Sequence, residues 1–439
     1  MLPTPRLYLL LLLGTAIGFV LAWLGGTEEA LHRAIALTLV YDLVLLLLAW
    51  LDGAQVRPYR VQVSRQPLQT LSIGRDNPIA LTVKSGDRPA KLRIRDTYPA
   101  TFVVTPAICL LVLPAHAQTD LIYTVFPKQR GEYAWGDIQV RQLGAWGLSW
   151  HDWKIPQQAT AEVYPDLIGL RQLSIRLTLE SSGNIRRARR MGTGTEFAEL
   201  REYNTGDDLR LIDWKATARR DRLLVRVLEP EQEQTLIILL DRGRLMTAQV
   251  GGLARFDWGL NATLALALAG IRRGDRVGVG VFDRQMHTWI PPERGQPHLA
   301  KLLERLTPIQ PDLLEPDYLA AVTTATAHQA RRALVVLLTD LVDETASGEL
   351  LAAMGRLSPR YLPFCVTLRD PEVDRQANTP TEEVATAYCR AVALDLLAQR
   401  QVALAKLKQK GVLVLDAPAP YISESLVDRY LQIKARSQL

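Results

Sequence analysis

Two apolar blocks open the chain, Leu7–Leu24 and Ala34–Leu51, the second interrupted only by Tyr41 and Asp42. Each is about as long as a helix must be to cross the ~30 Å hydrocarbon core of a bilayer. The segment between them, 25–33, is short, so the pair is expected as a helical hairpin over residues 1–54, with Asp42 facing its partner helix or an interface. The first block is too long for the apolar region of a signal peptide, and no small-x-small cleavage site follows it. Over 55–165 the pattern changes to alternation of apolar and polar positions: Tyr59–Val63, Ile79–Val83, Lys91–Arg95 and Leu121–Val125. Turn clusters such as Gly74–Pro78 and Ser85–Asp87 separate them. Short period-two runs with such spacing predict an antiparallel, immunoglobulin-like β-sandwich. Trp135, Trp146, Trp150 and Trp153 read as packing residues, because large aromatics are mostly buried.

From residue 235 onward the period changes again. Leu236–Leu240, Arg276–Asp283, Arg332–Thr339, Leu362–Leu368 and Val412–Leu415 are apolar runs without alternation, as strands buried on both faces require. Helical patterns fall between them: 256–273, 298–306, 317–328, 348–357, a long one over 381–410, and 421–436. Alternating strands and helices predict a doubly wound α/β domain over 235–439. Ligands of such sheets sit beyond the carboxyl ends of the strands, where this chain places Asp241, Asp283 and Asp340.

Residues 166–234 are expected as a linker, containing Arg186, Arg187, Arg189 and Arg190, followed by a dense charged segment. That segment carries Glu196, Arg201, Asp207, Asp208, Arg210, Asp213, Trp214, Lys215 and Arg219. Leu209, Ile212 and Ala216 recur at helical spacing, predicting a helix over 207–218 with Asp207 and Asp208 in its first turn. On such a helix Asp207 reaches Arg210 at i,i+3, and an ion-pair network follows, with Trp214 covering the stems of Arg210 or Lys215. Asp213-Trp214-Lys215 also has the acid-x-Lys form of some metal-dependent nucleases, in which the pair lies on a strand.

Bulk properties narrow the field. The formal charge is +6, but the 52 basic residues are scattered among 46 acidic ones, so nucleic acid is not the expected partner. Cys109, Cys365 and Cys389 are odd in number and far apart, and are expected as buried thiols in a reducing compartment. The six histidines show no metal-ligand spacing, and no phosphate-binding Gly-Lys-Ser/Thr loop occurs. Arg6 flanks one outer end of the hairpin and Arg57, Arg60 and Arg65 the other, whereas the connecting loop sets Arg33 against Glu28 and Glu29. The positive-inside rule then puts both termini and the soluble part in the cytoplasm.

The run Gly194-Thr195-Glu196-Phe197-Ala198-Glu199-Leu200-Arg201-Glu202-Tyr203-Asn204-Thr205-Gly206-Asp207-Asp208-Leu209-Arg210-Leu211-Ile212-Asp213-Trp214-Lys215-Ala216-Thr217-Ala218-Arg219 resembles the signature of the bacterial domain-of-unknown-function family 58. Pro127–Tyr133 and Tyr430–Arg436 are similar to further parts of that family. The resemblance implies an inner-membrane protein with a two-helix anchor and a von Willebrand factor A-like domain. Family association also implies a MoxR-type AAA+ ATPase as partner. In A-type domains an Asp-x-Ser-x-Ser loop, a Thr and a second Asp hold Mg2+. Here the loop reads Asp241-Arg242-Gly243-Arg244-Leu245, with both serines absent. The Thr position falls at Glu315-Pro316-Asp317, and Asp340 matches the second Asp. The resemblance thus leaves a degenerate metal site of Asp241, Asp317 and Asp340. The expected function is a non-enzymatic scaffold or adaptor that binds a protein; the alternative is a metal-dependent hydrolase centred on Asp207–Lys215.

Overall fold

A computed structural model describes residues 2–25, 27–191, 196–229, 234–327, 329, 331–341, 347–380 and 383–435, with backbone alone at 180–191, 196–198 and 227–229. The chain divides into two compact units, Met1–Tyr164 and Pro165–Leu439.

In the first unit the apolar blocks form helices Pro5–Gly25 and Glu28–Gln55, both long and apolar enough to cross a membrane. The second begins about six residues earlier than its apolar block. Thr27 caps it through the Ala30 N–H, and Glu28 and Glu29 sit at the positive end of its dipole. Two glycines spaced by four, Gly14 and Gly18, let the helices approach: any side chain there would collide with Tyr41 or Thr38. The Tyr41 hydroxyl donates across the pair to Leu10 O at 3.2 Å. Asp42 is half-buried, with its Oδ1 unpartnered.

No free linker separates the helices from the β-module. Asp52, fully buried in the last turn of the second helix, accepts from the N–H groups of Trp146, Leu148 and Ser149 at 2.8, 2.9 and 3.2 Å. Ser149 Oγ donates to Ala49 O, and Thr4 Oγ1 to Gly147 O, both at 2.8 Å. The β-module comprises three sheets. A five-stranded one runs Leu2–Pro3, Ser149–Ile155, Ile138–Leu143, Ala90–Asp96, Cys109–Leu113. A four-stranded one runs Gln62–Arg65, Asn77–Lys84, Gln118–Phe126, Val103–Thr105. The third joins Leu71–Ser72, Ala159–Tyr164 and Gly131–Trp135. All pairings are antiparallel except Leu71–Ser72 with Ala159–Tyr164. In Ala90–Asp96 alternate residues are buried, as the period-two pattern requires. The three sheets meet at a buried ion pair: Arg65 holds both oxygens of Asp96, Tyr123 donates to Asp96 at 2.5 Å, and Trp135 Nε1 donates to Tyr123 at 3.4 Å. Arg65 is therefore a core residue, not a free charge flanking the helices. Trp146 departs from the expected burial of the tryptophans and is exposed.

The second unit opens with a helix, Leu167–Met191, where a linker is expected. Its Leu170, Leu173 and Leu177 pack on the core of the unit, which is why the segment is ordered as a helix. The sheet consists of β1 (Thr235–Asp241), β2 (Arg276–Phe282), β3 (Met286–Glu293), β4 (Leu334–Thr339), β5 (Leu362–Arg369) and β6 (Leu413–Pro418), in the order β3-β2-β1-β4-β5-β6. Only β3 is antiparallel to its neighbour. Successive β1 side chains divide between two cores. Leu236, Ile238 and Leu240 join the one built with helices Arg255–Arg272 and Ile422–Ala435. Ile237 and Leu239 join the one built with Tyr318–Thr326, Gly348–Leu357 and Val384–Gln409. A helix over Pro371–Asn378, capped by Asp370, precedes the long helix and is absent from the pattern-based expectation. Cys109 and Cys365 are buried, whereas Cys389 is exposed, contrary to its expected burial.

Candidate functional site

The charged segment is a hairpin carrying a short helix. Strands Glu196–Glu202 and Leu224–Glu229 pair antiparallel, with a bulge between Phe197 and Glu199. Between them come a turn, a single 3-10 turn at Leu209–Leu211, and a helix at Trp214–Arg220. The helix thus starts seven residues later than expected. The two aspartates taken for its first turn do other work. Asp208 caps the 3-10 turn through the Arg210 N–H at 2.9 Å. Asp207 is bound by Arg201, at 2.6 and 2.8 Å, and not by Arg210. The Arg201 guanidinium, together with the Asn204 N–H, holds the Asp207 carboxyl below its ordinary range.

Asp213 is the true N-cap of the helix. Its Oδ1 accepts from Lys215 and Ala216 N–H at 3.1 and 3.0 Å, and its Oδ2 from Arg226 Nε at 2.9 Å. The Ala216 N–H, then Arg226, keep this carboxyl low as well. Thr217 Oγ1 accepts from Leu224 N–H at 3.1 Å, and Ile212 is buried in an isolated bridge with Val225. These contacts seat the helix on the hairpin. Its outward side carries Trp214, which is 67% exposed rather than folded over Arg210 or Lys215, together with Lys215 and Arg219. Among the described residues, Arg210, Lys215 and Arg219 have no ion pair. The side chains of Glu196 and of the arginines at 186–190 lie outside those described; the Glu196 backbone pairs with Glu229.

The carboxylates at the strand ends lie in a second constellation. Asp241, at the end of β1, is fully buried. Its Oδ2 accepts from Thr339 Oγ1 at 2.6 Å and Tyr318 OH at 3.2 Å, and its Oδ1 from Gly243 N–H at 2.7 Å. Burial raises its pKa to about 6 despite these donors. Asp340 is clamped by two guanidinium groups, Arg400 NH1 at 2.7 Å and Arg255 NH1 at 2.8 Å. Arg400 continues to Asp416 at 2.9 Å, tying β6 to the end of β4. Asp283 pairs with Arg242 at 2.8 Å. Asp317 does not join Asp241 and Asp340 through its carboxylate, which caps Tyr318–Thr326 through Ala320 N–H at 2.8 Å.

This donor set does not fit a magnesium ion. Every oxygen of Asp241 and Asp340 already accepts from, or pairs with, a group of this chain, and two of the neighbours are cations. Among the described residues no group of three His, Cys, Asp or Glu side chains could hold a metal. Sequence reasoning missed Arg255, Arg400, Tyr318 and Thr339. Arg400 had a signal: it is a lone cation among Ala393, Ala403, Leu404 and Leu407 on the inward face of its helix.

Two apolar helices, an antiparallel β-module and an α/β unit define the chain as a candidate membrane-anchored α/β protein. Residues 199–382 match the model of the family described as "Protein of unknown function DUF58". The chain is 25% identical over 153 residues to an uncharacterized protein of Mycobacterium tuberculosis (strain ATCC 25618 / H37Rv), a match covering 34% of this chain and 48% of that one. It is 24% identical over 119 residues to the uncharacterized protein YeaD of Bacillus subtilis (strain 168), covering 27% and 28%. The chain spans about half the length, or less, of these curated relatives. Among solved structures it is similar to the conserved hypothetical protein BatB from Bacteroides thetaiotaomicron, at 17% identity and a TM-score of 0.32, covering 46% of this chain and 99% of that one.

Proposed function

We propose that this chain is a membrane-anchored adaptor whose DUF58 region binds a protein partner without doing chemistry. The observation that carries it is the use of the signature carboxylates. Asp207 and Asp213 spend their oxygens on Arg201, Arg226 and backbone N–H groups that build the hairpin, and what they hold outward is an exposed Trp beside cations. The β-module is read as immunoglobulin-like. The α/β unit is read as von Willebrand factor A-like, supported by its strand order and its single antiparallel edge strand. In this reading Mg2+ has no role, because guanidinium groups take the place of a cation at Asp340. A MoxR-type AAA+ ATPase is the partner that family association suggests. Arg6, Arg57 and Arg60 support a cytoplasmic location for both soluble units. The hydrolase alternative needs an acid-x-Lys pair on a strand with free carboxylate oxygens; Asp213 is a helix cap with both oxygens engaged.

Asp213 substitutions separate the two. Asp213→Ala removes the cap and the Arg226 pair, and is expected to lower the melting temperature of the purified full chain by roughly 2–5 °C. Asp213→Asn keeps an N-cap acceptor and is expected to lower it less. Phosphodiester hydrolysis, assayed with and without Mg2+ on both variants and the parent, is expected to be absent throughout. An activity present in the parent and lost in both variants, with melting unchanged, would establish the hydrolase instead.

A further inference from the structure

The chemistry of the docking surface can be taken one step further, resting on the adaptor reading above. On the signature helix Trp214 and Ala218 form one i,i+4 row and Lys215 and Arg219 the adjacent one; all four are exposed, while Ala216 and Thr217 turn inward. Leu209 and Leu223 flank the helix in sequence and are 66% and 48% exposed. Three ion pairs form among the other charges of the segment: Arg201 with Asp207, Arg226 with Asp213, Arg222 with Glu202. Among the described residues the cations Arg210, Lys215, Arg219 and Arg220 have no ion pair, and neither do the carboxylates Glu199, Asp208 and Asp221; the two outward helix rows, however, carry only cations beside the exposed indole. We propose that this surface docks an acidic face of a partner protein that offers an apolar pocket to Trp214.

Charge and rigidity favour a protein over an anionic lipid surface. Seven cations and six carboxylates lie between residues 199 and 226, so the net charge is +1, whereas an anionic lipid surface rewards net basicity. A fluid headgroup layer also has no use for fixed register. Here the helix is seated by its Asp213 cap, the Arg226 pair and the Thr217–Leu224 bond, which hold the two rows in place. Fixed placement of Trp and Arg is what a protein hot spot needs, and complementary charge then selects the partner.

The test uses the purified full chain in phosphatidylcholine nanodiscs and three labelled 14-residue peptides, read by fluorescence anisotropy. One is rich in Glu with interspersed Leu; one has Lys for every Glu; one has Gly for every Leu. The Glu/Leu peptide is expected to bind at least about ten-fold tighter than either control. Trp214→Ala is expected to weaken it about ten-fold, and Lys215→Glu with Arg219→Glu to abolish it, with melting unchanged because these side chains are exposed. Equal binding of the Glu and Lys peptides, or binding untouched by the variants, overturns the proposal. So does protection of 209–220 from hydrogen exchange when phosphatidylglycerol replaces phosphatidylcholine, which would assign the surface to lipid. The adaptor reading is tested separately by recovery of proteins on immobilised chain. A partner lost with Trp214→Ala while the peptides fail leaves the adaptor and removes only its acidic chemistry; recovery indifferent to Trp214→Ala removes the adaptor.

Discussion

Asp241 sits in an environment far from water. Among the described residues no cation pairs with this carboxylate, which is held by two hydroxyls and one N–H. Its pKa rises to about 6 because burial disfavours the charged form more than those donors favour it. A raised carboxyl pKa means that the folded state binds the proton more tightly than the unfolded chain does. Its contribution to stability is therefore complete below about pH 4 and is lost as pH rises through about 6, by up to roughly 3 kcal/mol. Asp207 and Asp213, held low by their partners, act in the opposite sense, losing their contribution as pH falls below the usual carboxylate range. Asp241→Asn removes the first effect and leaves the second. Denaturant unfolding of the parent and Asp241→Asn at pH 4.5 and 7.5 is expected to show a smaller pH-dependent loss in the variant; identical pH profiles would show that Asp241 titrates normally.

At the scale of elements, small residues govern the apolar hairpin. In lipid, two apolar helices would have no hydrophobic reason to associate, and the close approach at Gly14 and Gly18 would supply the packing. Gly14→Leu is expected to separate the helices, read as loss of a cysteine cross-link engineered between their facing turns, whereas Ala16→Leu, on an exposed position, is expected to leave it intact. The signature helix illustrates the limits of periodicity. Leu209, Ile212 and Ala216 match a helical repeat, yet Leu209 is exposed and Ile212 is part of a β-bridge. The competing principle is capping: Asp213 binds two N–H groups ahead of it, which begins the helix there and leaves the preceding residues to a turn. The strands of the α/β unit were legible because runs without alternation fit only a sheet buried on both faces.

At the scale of the whole molecule, the orientation of the apolar hairpin is open to direct measurement. With Arg65 drawn into the core, the basic flank rests on Arg6, Arg57 and Arg60. Protease added to spheroplasts expressing the chain is expected to leave both units intact and to degrade them after lysis; digestion without lysis would reverse the orientation. The residues themselves determined the existence and order of the parts, since apolar length, period-two alternation and unbroken apolar runs each follow from how a local segment must meet its solvent. Asp241 and Asp340 were visible for the same reason, because strand ends are local features. What these carboxylates bind was decided only by tertiary structure. Arg255 and Arg400 lie 85 and 60 residues from Asp340 in sequence, and a buried charge takes the counter-charge that folding brings within about 3 Å, wherever it lies in the chain.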